Sequence, residues 1–424
     1  MSKQNIGTFS RHHAYKKPWK KIGSGAYGKV YSAINHHTGD KVAIKEIFDL
    51  RDTTDSIKLI RELQILKHFS KYKHPNIIKL NDAYIIQGSK KCKFYSAISK
   101  YDYEKVYIIT DFLDTDLHKV IHRHNRDTNN NALTERHYEY FLAQLVSGLY
   151  YLFTAGIIHR DLKPSNIVLN SDCSLKIIDF GLSISEDDKY GIHNKAKSDY
   201  VVTRWYRAPE VILYNKEKQY DYQIDIWSLG CIIAEIILKR PLFDGEDSRD
   251  QMKKILKFIE LSESDFEYLK SLNGKDSTIQ FINKYKMAKS DQTFAERFRQ
   301  LHSVYYKQDN GPDKEPGEIS SKLLELIEKM LIINPNERIT IEELIKDPYF
   351  EGIFKFPESE TGYINIISCS KKFTLDYNFE TCLLESDNIN DIKKYIYNEV
   401  YDSSDDNSDD IIDELSQEVK KQTL

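Results

Sequence analysis

The order of apolar and polar positions divides the chain into two unlike parts. Between residues 18 and 112, short runs rich in Val, Ile and Tyr alternate their apolar and polar faces. These runs are Lys20–Gly25, Gly28–Asn35, Lys41–Phe48, Ile77–Ile86 and Val106–Phe112. Successive side chains on a strand point to opposite faces, so this period of two predicts strands. One segment among them has another period. Ile57, Ile60, Leu63 and Leu66 repeat at the spacing of a helix face and predict a helix over Ser56–Phe69. From 113 to 354 helical periodicity dominates, over 134–153, 225–238, 248–260 and 320–332. Strands first and helices afterwards predict an α+β fold with segregated lobes, not a doubly wound sheet. There is no internal repeat.

One stretch tests for a membrane span. Tyr140 to Ile158 carries no Asp, Glu, Lys or Arg, and roughly 18 uncharged apolar residues is the usual warning. Gln144, Ser147, Gly148, Thr154 and Gly156 interrupt it, however. Leu142, Leu145, Val146, Leu149, Leu152 and Phe153 fall at helical spacing, so a buried helix is expected. Two other stretches have the composition of insertions: Gly88–Tyr103, polar with four lysines, and Arg123–Asn131 with its asparagine run.

Composition narrows the picture. The chain has 424 residues, 40% hydrophobic and 30% charged, with a net charge of -4. That suits a two-lobed soluble unit and does not favour a cationic nucleic-acid binder. The five cysteines (Cys92, Cys173, Cys231, Cys369, Cys382) are scattered, with no CxxC pair. This argues against a disulfide scaffold and a cysteine zinc site and fits a reducing compartment. The first residues, MSKQNIGTFSRHHAYKKPW, hold no apolar core of signal-peptide length. Charge is unevenly spread. The last forty residues carry twelve acidic and four basic side chains, so the first 384 are net +4. Asp402–Asp410, made of Ser, Asp and Asn alone, is expected to be disordered.

Gly23-Ser24-Gly25-Ala26-Tyr27-Gly28-Lys29-Val30 is a GxGxxG string followed by a β-type run, not a helix. That context suits a strand–loop–strand flap over nucleotide phosphates, while a plain Gly-rich hairpin stays open on this string alone. Val42-Ala43-Ile44-Lys45 follows, placing a lysine in an apolar strand, with Glu62 available to orient it. Farther on stand His159-Arg160-Asp161-Leu162-Lys163-Pro164-Ser165-Asn166 and Asp179-Phe180-Gly181. Phosphoryl transfer demands positioning and charge neutralisation. Asp161, Asn166, Asp179 and Lys163 are the residue types such a site needs. Ala208-Pro209-Glu210 comes later, with Arg338 of NPNERI as a candidate partner for Glu210.

With these strings the chain resembles the eukaryotic protein kinases over roughly residues 19–354. The resemblance implies a bilobal fold with ATP and Mg2+ as cofactors. It makes Asp161 the catalytic-loop aspartate, with Asn166 and Asp179 on magnesium and Lys45 on the α/β-phosphates, paired with Glu62. Lys163, two residues after the aspartate, resembles serine/threonine kinases. Ile22, Gly23, Gly25, Gly28, Val30 and Ala43 fall at nucleotide-binding positions. Thr110 falls at the gatekeeper position, which implies an apolar pocket behind adenine; Asp111 to Leu113 fall at the hinge and Asp116 at the ribose contact.

Val201 to Glu210 is similar to the mitogen-activated and cyclin-dependent group. The mitogen-activated branch carries Thr-x-Tyr just before it, and this chain has Ser198-Asp199-Tyr200. The resemblance implies phosphorylation at Ser198 and Tyr200, with Arg61 and Arg160 near the first phosphate and Arg204 and Arg207 near the second. The family's Leu-Ala-Arg after DFG is here Leu182-Ser183-Ile184, one cation fewer. Asp250–Lys322 resembles the branch's helical insertion, and Phe373–Asp402 its extension packing back on the small lobe. Glu358 and Glu360 sit where an acidic docking motif belongs, though solvated loop charges fit equally well.

The organisation expected is an N-terminal segment (1–18), small lobe (19–112), large lobe (113–354, insertion near 250–322), C-terminal extension (355–402) and acidic tail (403–424). The function implied is a proline-directed Ser/Thr kinase of MAP kinase signalling. Its implied partners are Ser/Thr-Pro protein substrates and an upstream dual-specificity kinase and phosphatases that use docking peptides. It is expected as a monomer in the cytoplasm, with the nucleus as a second compartment, and with no nucleic-acid or membrane partner. Two alternatives stand beside this reading. A cyclin-dependent-type kinase would need a PSTAIRE-like string near Ser56–Glu62, which is absent, and a pseudokinase scaffold would have lost a catalytic residue, and none is lost.

Overall fold

The computed structural model of the chain describes residues 14–15, 17–25, 28–48, 53–87, 103–123, 133–186, 203–213, 221–272, 275–357, 362–374 and 389–401. They form two compact units, one rich in strands and one rich in helices.

The strand-rich unit is a five-stranded antiparallel sheet. Its strands are β1 (Lys20–Gly25), β2 (Gly28–Ile34), β3 (Lys41–Phe48), β4 (Leu80–Gln87) and β5 (Tyr103–Asp111), in the order β1-β2-β3-β5-β4. Helix α1 (Thr53–Lys71) follows β3. Alternation along β3 sets the two faces of the sheet. Val42, Ile44 and Glu46 are buried on one of them. There Val42 and Ile44 pack with Ala14, Tyr15, Tyr84, Tyr107 and Ile109, and with the partly buried Trp19 and Tyr31. The buried Glu46 on this face is fully engaged. Glu46 accepts from Lys105 Nζ at 2.6 Å, Tyr107 Oη at 2.9 Å and Tyr31 Oη at 3.1 Å. Burial alone would raise its carboxyl, but these donors hold it below the usual carboxylate range.

The helical unit begins with β6 (Thr115–Asp116), α2 (Leu117–Arg123) and α3 (Glu135–Thr154). Four short strands follow: β7 (Ile157–Ile158), β8 (Ile167–Leu169), β9 (Leu175–Ile177) and β10 (Ile184–Ser185). Helix α4 (Gln223–Leu238) is buried at every residue, which suits a helix that is apolar all round. Further helices span Ser248–Phe258, Glu263–Leu272, Asp276–Tyr285, Phe294–Asn310 and Ser321–Met330.

The uncharged stretch lies in α3 up to Thr154 and ends in β7, and no helix among the described residues is long and apolar enough to cross a membrane. Its polar residues serve the interior. Gln144 Oε1 accepts from Asn76 Nδ2 at 3.1 Å and from the Leu175 N–H at 3.0 Å. Ser147 Oγ donates to the Asn365 carbonyl at 3.0 Å.

Two boundaries differ from expectation. The strand expected at Ile77–Ile86 starts at Leu80, because Ile77 bridges to Ile177 of β9 and residues 74–77 belong to the helical unit. Asn76 belongs there because its amide and carbonyl satisfy groups of α3 and β9. The expected extension, 355–402, divides in two. Up to Thr374 it lies with the helical unit, where β11 (Phe354–Lys355) pairs with β12 (Ile364–Asn365) and the Phe373 N–H donates to the Ala155 carbonyl. Helix α5 (Ile389–Tyr401) lies with the strand-rich unit and packs against α1. There Glu399 meets Lys67 at 2.9 Å and Gln64 Nε2 at 3.2 Å, and the Ile85 N–H donates to Tyr401 Oη. The tail from 403, the insertion residues 88–102 and 124–131, and Glu358 and Glu360 lie outside the described residues.

Candidate active site

In the strand-rich unit the sheet alternation that buries Ile44 turns Lys45 to the other face. Its Nζ stands 2.8 and 2.7 Å from the two carboxylate oxygens of Glu62 on α1. Lys45 lies opposite Val30 on β2 and Ile108 on β5, and Ala43 lies opposite Thr110. Val30, Ala43, Thr110 and Asp111 are half-buried, and Ile22 is exposed.

The flap glycines have unlike surroundings. A Cβ at Gly28 would stand 1.9 Å from the Glu46 carbonyl, whereas at Gly25 nothing lies within 4 Å and at Gly23 only Val30 is near. Gly28 is therefore required by its neighbouring strand, independent of any ligand. Ala26 and Tyr27 lie outside the described residues.

In the helical unit the catalytic string joins β7 to β8. Arg160 has φ 69°, a left-handed conformation uncommon outside glycine. What holds it is Asp225 of α4, whose two oxygens accept the N–H groups of His159 at 2.7 Å and Arg160 at 2.9 Å. Burial pushes the Asp225 carboxyl up, against the opposing pull of His159 and these N–H groups. Pro164 opens a single 3-10 turn that ends at Asn166.

Three side chains meet here. Asp161 Oδ2 accepts from Lys163 Nζ at 2.6 Å and from Asn166 Nδ2 at 3.0 Å, and the same amide donates to the Asp161 carbonyl at 2.8 Å. The second string is tied to the first. The Ile178 N–H donates to the Asn166 carbonyl at 3.0 Å, which sets Asp179 one residue beyond Asn166's own backbone partner. Asp179 is also left-handed, φ 69°. His159 bridges both strings. Its Nε2 donates to the Ile178 carbonyl at 3.0 Å, and its Nδ1 accepts the Asp161 N–H at 3.3 Å. The fully buried Phe180 ring stands edge-on to it at 5.3 Å.

The segment 203–210 is clamped from several elements. Trp205 Nε1 donates to the Gly245 carbonyl at 3.2 Å, and Gln251 Nε2 donates to the Trp205 carbonyl at 3.2 Å. Tyr206 Oη donates to Glu235 of α4 at 2.6 Å, and Ser228 Oγ donates to the Tyr206 carbonyl at 2.7 Å. Glu210 forms the expected pair with Arg338.

Other residues anticipated from sequence are placed as follows. Asp116 caps its own helix, accepting from the Lys119 N–H at 2.8 Å and pairing with Lys119 Nζ at 2.6 Å. Leu113 is half-buried. Arg61 is buried in the strand-rich unit, while Arg160, Arg204 and Arg207 are half-buried in the helical one. Ser198 and Tyr200 lie outside the described residues. Asp225 and Glu235 were not singled out from sequence. Their signal was present, since they are the only charged residues in the otherwise uncharged QIDIWSLGCIIAEIIL.

A protein kinase domain model matches residues 17–350. Mitogen-activated protein kinase 13 of Arabidopsis thaliana is 37% identical over 393 residues, covering 92% of this chain and 91% of the relative. Mitogen-activated protein kinase 1 of rice (Oryza sativa subsp. japonica) is 35% identical over 389 residues, 91% of this chain and 81% of the relative. Extracellular signal-regulated kinase 1 of Dictyostelium discoideum is 38% identical over 384 residues, 90% of this chain but 61% of that longer protein. With a domain match over most of its length and relatives aligned nearly end to end, the chain belongs to the protein kinase family, among the MAP kinases, and is a protein serine/threonine kinase.

Proposed function

We propose that the chain transfers the γ-phosphoryl of ATP to serine or threonine followed by proline, and that phosphorylation of Ser198 and Tyr200 switches it on. The observation that carries the transfer is the convergence of Lys163 and Asn166 on one oxygen of Asp161. The incoming hydroxyl donates its proton to the Asp161 carboxylate as its oxygen bonds to the γ-phosphorus, while the bond from that phosphorus to the β-phosphate oxygen breaks and ADP leaves. Lys163, already beside that carboxylate, meets charge on the transferring group. Lys45, oriented by Glu62, holds the α/β-phosphates.

The donor set also fits Mg2+. Asn166 uses its amide N–H groups on Asp161, which leaves its oxygen, and Asp179 adds a carboxylate. Hard oxygen ligands of this kind, few in number, suit an ion that keeps water and phosphate oxygens. When bound, Mg2+ neutralises charge on the phosphate oxygens. The proline preference and the docking peptides rest on family likeness, as does activation by an upstream dual-specificity kinase.

The test is transfer of labelled γ-phosphate to a protein with a Ser-Pro or Thr-Pro site, before and after treatment with a dual-specificity kinase, with Asp161→Asn as control. Transfer by the treated wild type alone supports the reading. Equal transfer before and after, or to sites lacking proline, overturns its regulatory or specificity part.

A further inference from the structure

Glu235 is the deepest acid of α4, with a fully buried side chain. One carboxylate oxygen is used by Tyr206 Oη. The other, Oε1, has no hydrogen-bond partner among the described residues. A buried carboxylate with one free oxygen needs compensation from a nearby cation or donor. The group placed to supply it is His122 of α2, whose Nε2 is 3.4 Å from Oε1. Lys239, one turn farther along the chain, does not serve. Its Nζ makes no hydrogen bond among the described residues and lies 5.8 Å from the Tyr138 ring.

His122 has a free side as well. Its side chain is 34% exposed, and its ring lies 4.4 Å from that of His118 on the preceding turn. An imidazole near the surface thus stands at one end of a line of polar groups. Tyr206, in the middle of the clamped segment 203–210, stands at the other.

We propose that His122 is a positioning residue for that segment, acting through Glu235 to fix Tyr206 and thereby the affinity for the protein substrate. The proposal rests on the proline-directed function proposed above, which draws on the family likeness of Val201–Glu210, and it takes that segment to receive the substrate. The neutral tautomer protonated on Nε2 presents a donor to Glu235, and the imidazolium attracts the carboxylate more strongly. A leucine there leaves the carboxylate with Tyr206 alone, so the Tyr206 side chain loses its fixed partner geometry.

The experiment compares His122→Leu, His122→Lys, Tyr206→Phe and the double variant His122→Leu/Tyr206→Phe in the full chain, using a peptide substrate. His122→Leu is expected to raise the peptide KM about threefold to tenfold while the KM for ATP moves less than about twofold, and His122→Lys to restore the wild-type value. The double variant is expected to match Tyr206→Phe, because both substitutions cut one line. Additive effects in the double variant, an unchanged peptide KM, or equal rises in both KM values would overturn the proposal. Wild-type protein that transfers phosphate to itself but to no peptide would instead overturn the substrate reading on which it rests. Thermal midpoints of all four proteins separate misfolding from positioning, and failure of His122→Lys to rescue a folded His122→Leu defect would also count against it.

Discussion

Glu210 and Arg338, 128 positions apart, meet as a two-pronged ion pair at 2.8 and 3.1 Å, with Arg338 wholly buried and also bonded to the carbonyls of Gln223, Ile332 and Ile333. Removing one partner leaves the other as an uncompensated buried charge. Glu210→Gln or Arg338→Met is expected to lower stability by about 3–5 kcal/mol, read from urea unfolding of the purified chain. If either variant unfolds at the wild-type midpoint, the pair contributes nothing to stability.

Lys45 and Glu62 form a pair of a different kind, half-open and aimed at chemistry. Lys45→Met is expected to reduce kcat by about 10²-fold or more, since a fixed cation on transferring phosphates is lost. Glu62→Gln keeps the lysine but frees it, and a smaller loss is expected. Steady-state rates at saturating ATP distinguish the two, and a Glu62→Gln rate below that of Lys45→Met contradicts this order.

His74 gives the helical unit an acid sensitivity. Burial, with Lys176 adding to it, holds its imidazole at about 3 instead of 6.5. Its ring stacks on Tyr151 at 4.6 Å and its Nδ1 accepts the Asn76 N–H. Between those two values the unfolded chain binds a proton that the folded chain refuses, so stability falls as pH drops from about 6.5 towards 3. Above that window the group contributes no slope. His74→Gln should flatten the dependence of Tm on pH between about 6.5 and 4, and an unaltered slope would remove His74 as its source.

Ile184 occupies the place where the family carries an arginine, and it is buried in the pairing of β10 with β7, opposite Ile158. An apolar side chain used for packing offers nothing to a phosphate. Phospho-Ser198 is therefore expected to be held less firmly than phospho-Tyr200. Tyr200→Phe should cost more activity than Ser198→Ala after treatment with an upstream kinase, and the reverse order refutes this.

The flap glycines make a stability prediction that needs no nucleotide. Gly28→Ala forces β2 away from the Glu46 carbonyl and is expected to destabilise by about 1–3 kcal/mol. Gly25→Ala meets open space and should leave Tm unchanged. Equal effects in thermal unfolding would contradict the difference in their surroundings.

Much of this was legible because it was local. The period of two along Lys41–Phe48 gave β3 its limits, and Ile57, Ile60, Leu63 and Leu66 placed α1. The catalytic strings needed no structure to be found. What stayed hidden depends on residues distant in the chain. Glu46 gathers Tyr31, Tyr107 and Lys105 from two flanking strands, a pattern no spacing reveals. Ile77 looks like the start of a strand until its bridge to Ile177 is known. The return of the extension also depended on contact, since it shows in the packing of its last helix on α1.

Helix α4 carries one acid for each of two active segments: Asp225 for the turn before Asp161, and Glu235 for Tyr206. The two segments therefore cannot be released independently by any opening that unwinds this helix. In native-state hydrogen exchange, the His159 and Arg160 amides should share one opening free energy with the amides of α4 itself. Under the function proposed above, phosphoryl-transfer geometry and substrate seating then fail together, so that a partly unfolded molecule is silent rather than active on the wrong targets.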